Sequence, residues 1–215
     1  MKYLPVMAVM LAASIATAVS AEQGPAAVAL SRSTAECTVE QNPAAVAALL
    51  QTLPGSSEED RAARRVAPLF NACGAELTIS PGSQGLYNGR AALAAAAASR
   101  ELAKGSSAGS DGAVTPWYAA AIAGKAPGAG YDATSLGMQA FGTCVVGAAW
   151  APSASLVASA AGSAEERAAI VAIKPVLAGC VAQGKPIHMT LDQLRLMVAE
   201  PLYHVITDGR SAGRS

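Results

Sequence analysis

The sequence predicts an all-α fold, with two tandem helical modules packed together, each clasped by a disulfide, and little or no strand. Three observations predict it. The four cysteines fall in two pairs of equal spacing, Cys37 to Cys73 and Cys144 to Cys180. Sliding the chain by 107 residues superimposes the two segments without a gap, and 12 of 37 positions are then identical. These include GSSEE (55–59) against GSAEE (162–166) and Pro68 against Pro175, which alanine-rich composition does not explain. Within each segment, the apolar positions recur at helical spacing between residues that start and stop helices.

In chain order, residues 1–21 come first. Met1 and Lys2 precede an uncharged run that ends Val19-Ser20-Ala21, the pattern of a secretory signal peptide cut before Glu22. The rival reading is a retained anchor, since the run approaches the roughly 20 residues that span a bilayer. It lacks a basic stop, however, and its end is rich in small residues. The expected location is therefore periplasmic or secreted, with no membrane span after cleavage. Loss of Lys2 leaves the mature chain with a net charge of −1. That near-neutrality excludes nucleic acid as a partner, because phosphate recognition needs a basic face. The arginines of Arg61-Ala62-Ala63-Arg64-Arg65 fit one solvated helix surface. No CxxC is present and there are only two histidines, so neither a thioredoxin-like motif nor a zinc cluster is supported. An even number of cysteines in an oxidising compartment implies two disulfides. Cys37–Cys73 and Cys144–Cys180 is the expected pairing, although the spacing also permits pairing across swapped modules.

The first module spans 22–105. Asn42 caps a helix with Pro43 at its first position, and Val46, Leu49, Leu50 and Leu53 form its stripe up to Pro54-Gly55. Ser56-x-x-Glu59 opens a second helix as a capping box, with Val66, Leu69 and Phe70 on its buried face. Pro68, which lacks a donor N–H, should kink or shorten that helix. A short alternating stretch (76–80) and a third helix from Arg90 to Lys104 follow. Residues 106–134 read as a Gly/Ser/Ala-rich linker holding a short helix around Trp117–Ala123.

The second module spans 135–215. A lead-in helix (135–143) reaches Cys144, and Ser163-x-x-Glu166 repeats the capping box ahead of Ile170, Ile173 and Leu177. Pro175 repeats Pro68. Another alternating stretch (186–190) precedes a helix that opens with Thr190-x-x-Gln193 and carries Leu191, Leu194, Met197, Val198, Leu202 and Ile206. Arg195 corresponds to Arg90 if the loops before them differ in length. Pro201 should kink this helix.

Few residues are candidates for chemistry. Gly105-Ser106-Ser107-Ala108-Gly109 matches a nucleophile elbow, but a helix enters it and a linker leaves it, so Ser107 is not read as catalytic. His188 and His204 stand four residues from Asp192 and Glu200, a spacing typical of surface pairs. Thr78 and Ser99 take their places in the first module, so the architecture does not require histidine. Glu58-Glu59 and Glu165-Glu166 are paired carboxylates whose positions at helix N-termini already give them a structural reason. Trp117, Tyr118 and Trp150 either anchor a ligand or partner or, the favoured reading, fill the gap between modules. The expected sets of catalytic, metal-binding and cofactor-binding residues are therefore empty, with Cys37, Cys73, Cys144 and Cys180 the functional positions as disulfides.

FGTCVV (141–146), GSAEE (162–166), the second cysteine and the run from Leu194 to Tyr203 resemble a group of uncharacterised secreted proteins of alphaproteobacteria with a duplicated two-cysteine helical module. The resemblance implies export and a helical fold and brings no activity. Saposin-like lipid binders share only the theme of disulfide-tied helices, with six cysteines in another spacing. The functional expectation is a non-catalytic helical scaffold or partner-binding module in the periplasm. The alternative is a carrier of a small apolar or lipid-like ligand in a cavity between the modules.

Overall fold

The structure is a computed structural model that describes residues 32–74, 84–105, 112–181 and 189–212. The signal segment 1–21, Ser107, His188 and stretch 76–80 lie outside the described residues. Every regular element among the described residues is a helix: α1 (Arg32–Gln41), α2 (Pro43–Leu50), α3 (Ser57–Ala72), α4 (Gln84–Ala103), α5 (Ala119–Ile122), α6 (Ala133–Ala148), α7 (Trp150–Ala158), α8 (Ala164–Cys180) and α9 (Leu191–Ala212). The fold is all-α and carries two disulfides, Cys37–Cys73 and Cys144–Cys180, with Cα atoms 5.9 and 5.6 Å apart. Each disulfide joins two helices of its own half, α1 to the end of α3 and α6 to the end of α8.

Local chemistry sets the helix starts. The Asn42 side chain accepts from the Ala45 N–H with Pro43 in the first turn. Ser56 and Ser163 accept from the Glu59 and Glu166 N–H groups, and each glutamate reaches back to the N–H of the preceding glycine, Gly55 or Gly162. Thr190 and Gln193 bond reciprocally at the start of α9. These bonds satisfy donors that a helix N-terminus leaves open. α4 begins at Gln84, ahead of the expected start at Arg90.

None of the three prolines ends its helix. α3 runs on past Pro68 and α8 past Pro175, and both prolines are solvent-exposed. The carbonyl that each leaves without an in-helix donor therefore lies on the side where water can satisfy it. α9 likewise continues through Pro201, which is buried.

α4 and α9 pack against each other at the centre, with α1 on α4 and α6 on α9. α2 pairs with α3 and α7 with α8, and α7 also contacts both central helices. One apolar core runs through both halves, built on Leu49, Leu50, Leu93, Leu156, Val157, Val198, Leu202 and Ile206. Trp150 is buried in it at the start of α7. Arg61, Arg64 and Arg65 face solvent while Ala62 and Ala63 are buried. Among the described residues no single helix is long and apolar enough to cross a membrane; α6 and α7 meet at a bend of 114°.

Candidate site: a buried ionic centre and its open counterpart

Arg90 projects from α4 into the core and is fully buried. Its Nε donates to both carboxylate oxygens of Glu200 on α9, at 2.9 and 3.0 Å, and Nη2 also donates to Glu200. Nη1 donates to Glu59 at 2.9 Å and to the Leu49 carbonyl and Thr52 hydroxyl at 3.1 Å. Nη2 further donates to the carbonyls of Leu50 and Thr52, 2.9 and 2.8 Å away. Arg90 thus ties together carbonyls at the end of α2, the N-terminal acid of α3 and a carboxylate from the other half of the chain. Gln139 of α6 donates to the second oxygen of Glu200. Burial alone would push the Glu200 carboxyl up, but Arg90 and His204 beside it outweigh burial and hold it at about 2.

His204, read from its spacing as one of a surface pair, is instead buried, with 2% of its surface exposed. The helical spacing is right, but that face of α9 is turned inward. The His204 Nε2 lies 3.1 Å from the Leu50 carbonyl and 3.9 Å from Glu200. A carbonyl only accepts, so Nε2 carries the proton in this contact. Trp117 stacks on the imidazole with ring centroids 4.2 Å apart, and its indole N–H points to Gln139 at 3.4 Å. Tyr118 is buried beside it and donates to the Leu136 carbonyl. The pair Trp117-Tyr118 therefore seals the centre where the linker meets α6 and α9. A cavity of about 240 Å³ lies next to it, bordered by Trp117, Thr143, Pro201 and His204.

A second arginine makes a parallel set of bonds. Arg195 of α9 donates to Glu166, to the Ser159 carbonyl at 2.6 Å and weakly to the Val157 carbonyl at 3.5 Å. Glu166 and Glu59, Ser159 and Thr52, and Val157 and Leu50 each lie 107 positions apart. The Arg195 hydrogen bond, and next the Gly162 N–H, draw the Glu166 carboxyl below its ordinary range against the effect of burial. Ser99 of α4 donates to the Val157 carbonyl at 3.2 Å, as His204 of α9 contacts the Leu50 carbonyl. Beside Arg195 lies a cavity of about 270 Å³ between α4, α7 and α9.

Of the residues singled out from sequence, Glu59, Trp117, Tyr118 and His204 converge on the first centre and Glu166 joins the second, while Glu58 and Glu165 are exposed. From sequence, Arg90 is paired only with Arg195 as a repeat position and Glu200 only with His204 as a helical neighbour, and the bridging amide Gln139 is not singled out. The available signal was Glu200 lying inside the apolar run of α9. Among the described residues no group of three or more His, Cys, Asp or Glu side chains could hold a metal ion. No protein-family model, curated protein or solved structure matches the chain.

Proposed function

We propose that the chain is an exported, non-catalytic helical protein of the periplasm or the extracellular space, in which two copies of a four-helix unit brace each other and present a surface to a protein partner. The mutual satisfaction of the buried ionisable groups carries this reading. The Glu200 oxygens are held by Arg90 and Gln139, those of Glu59 by Arg90 and Gly55. General acid–base catalysis needs a group whose proton affinity lies near the working pH, and a carboxylate held at about 2 serves as a fixed counter-charge instead. The equal cysteine spacing and the matching bonds of Arg90 and Arg195 support duplication. The basic, then apolar, then small-residue start of the chain supports export. For the partner surface, the support is α8: Val171 is 71% exposed, and Ala168, Ala172 and Pro175 on the same helix are also exposed. Their counterparts on α3 are Arg64, Arg61, Arg65 and Pro68, so α8 carries apolar residues where α3 has three exposed arginines, and exposed Arg167 and Lys174 flank that patch.

The test is photo-crosslinking in intact cells from a reactive side chain placed at Val171, compared with one at Arg64. A discrete protein adduct from position 171 alone is expected; none from either position, or the same set from both, overturns the partner surface.

The cavity between α4, α7 and α9 favours a second reading, a carrier of a small ligand. Its lining is mostly alanine, valine and leucine, with arginine at one side, the composition of a small-molecule pocket. A native mass spectrum of protein purified gently from the envelope tests it. A reproducible extra mass supports the carrier and a bare polypeptide rejects it. The same spectrum reads loss of residues 1–21 and of four hydrogens; a retained signal segment or free thiols overturn export.

A further inference from the structure

The 270 Å³ cavity stands where the first centre keeps its carboxylate. Ala92, Ala95, Ala96 and Ser99 of α4 form one side, and Arg195 and Leu196 of α9 another. Ala95 and Glu200 are 105 positions apart, as are Arg90 and Arg195, and Ser99 and His204. Arg32, at the cavity edge, and Gln139 are 107 apart. The cavity is thus a second instance of the ionic centre in which alanine replaces the glutamate, leaving space over the arginine. Arg90 holds two carboxylates, Glu59 and Glu200; the Arg195 side chain is 11% exposed and holds one, Glu166. The Arg90 Nε grips Glu200, whereas the Arg195 Nε has no hydrogen-bond partner among the described residues.

We propose that this cavity binds a small monocarboxylate with an apolar tail, its carboxylate on the Nε edge of Arg195 and its tail along Ala92, Ala95, Ala96 and Leu196. This rests on the carrier reading and adds the ligand's charge and size. Glu200 on Arg90 is the internal template for that contact. At the ~30 Å³ that one water occupies, the cavity holds about nine non-hydrogen atoms, which suits a six- or seven-carbon acid, and a longer chain would extend out of its open side. Arg32 adds positive charge at the edge, although its own donors already reach Glu36 and the carbonyls of Ala158 and Ser159. Asp192, exposed at the rim, is the opposing charge. The apolar wall strengthens an ionic hydrogen bond and leaves a neutral head group without a comparable partner.

The experiment titrates the mature, oxidised protein with hexanoate and with 1-hexanol, by calorimetry and by following the side-chain Nε–H signal of Arg195 in nitrogen-labelled protein. Hexanoate is expected to bind and move that signal, with 1-hexanol weaker by about tenfold or more. Because Arg195 also braces α7 and α8, the key variant is Ala95→Glu, which supplies the missing carboxylate from the chain itself. It is expected to remain folded and to weaken hexanoate by at least about tenfold. Equal binding of hexanoate and hexanol overturns the carboxylate assignment and leaves the carrier reading standing. Binding of neither overturns the monocarboxylate site, and the native mass spectrum decides the carrier reading separately. Hexanoate binding undiminished in a folded Ala95→Glu protein places the ligand elsewhere and overturns the site.

Discussion

Two carboxylates converge on the Arg90 guanidinium, and a core that contains them is stable only while the three charges remain together. Arg90→Met removes the cation and leaves Glu59 and Glu200 buried without it, so unfolding in urea should show a loss of about 3–5 kcal/mol. Glu200 also sets an acid limit. Its folded-state pKa of about 2 lies below its ordinary 4.5, so its contribution is present above about pH 4.5 and is lost as pH falls towards 2. In Glu200→Gln the stability should be lower at neutral pH and should fall less steeply over that window, measured by thermal melts between pH 5 and 2. Ser153 is a case of the opposite sign. Its Oγ is the one buried side-chain polar atom without a hydrogen-bond partner among the described residues, and the residue 107 positions earlier is Val46. Ser153→Ala should raise stability by up to about 1 kcal/mol, read as a higher melting temperature. At this scale the sequence revealed only what is local. Ser56-x-x-Glu59 announces a cap because the cap closes within four residues. The second oxygen of Glu59 meets an arginine 31 residues away, and Glu200 one 110 residues away, which no spacing rule encodes.

Among the elements, the contact of α6 with α9 depends on a residue that has no side chain. Pro201 offers no N–H to the Met197 carbonyl one turn earlier, and Gly142 packs against that same oxygen. A Cβ on Gly142 would lie 2.0 Å from it and 3.1 Å from the Pro201 ring. The carbonyl belongs to a continuous helix and cannot swing aside, so Gly142→Ala must push the two helices apart. A loss of about 3 kcal/mol is expected in urea unfolding, whereas Gly137→Ala on the same helix, where a Cβ meets nothing within 4 Å, should be neutral or slightly stabilising. α9 continues through Pro201, and the carbonyl that the proline leaves without an in-helix donor forms part of the surface that α6 approaches. Sequence periodicity places the helices and their caps well, because each is decided within a few turns. Which helix face meets which partner is decided by shapes like this one, and Glu200 and His204 were misplaced for that reason.

For the molecule as a whole, the two disulfides strengthen each half separately. In the loop-entropy account, closing loops of 36-residue separation contributes about 3–4 kcal/mol each. The double variant Cys144→Ser/Cys180→Ser should lose about that much in denaturant titration and retain the Cys37–Cys73 bond in a peptide map. This level of organisation was the most legible in the sequence, because equal cysteine spacings and repeated caps encode it redundantly. The asymmetry between the halves was not, since Ala95 is one alanine among many until Glu200 is seen opposite it. Neither disulfide crosses from one half to the other, so the only covalent tie between them is the backbone that passes α5 and its flanking turns. Lys125 lies exposed in that stretch. A single tryptic cut there would turn the one chain into two internally cross-linked fragments held together without a covalent bond, with the Arg90–Glu200 pair and the Trp117–His204 stack at their interface.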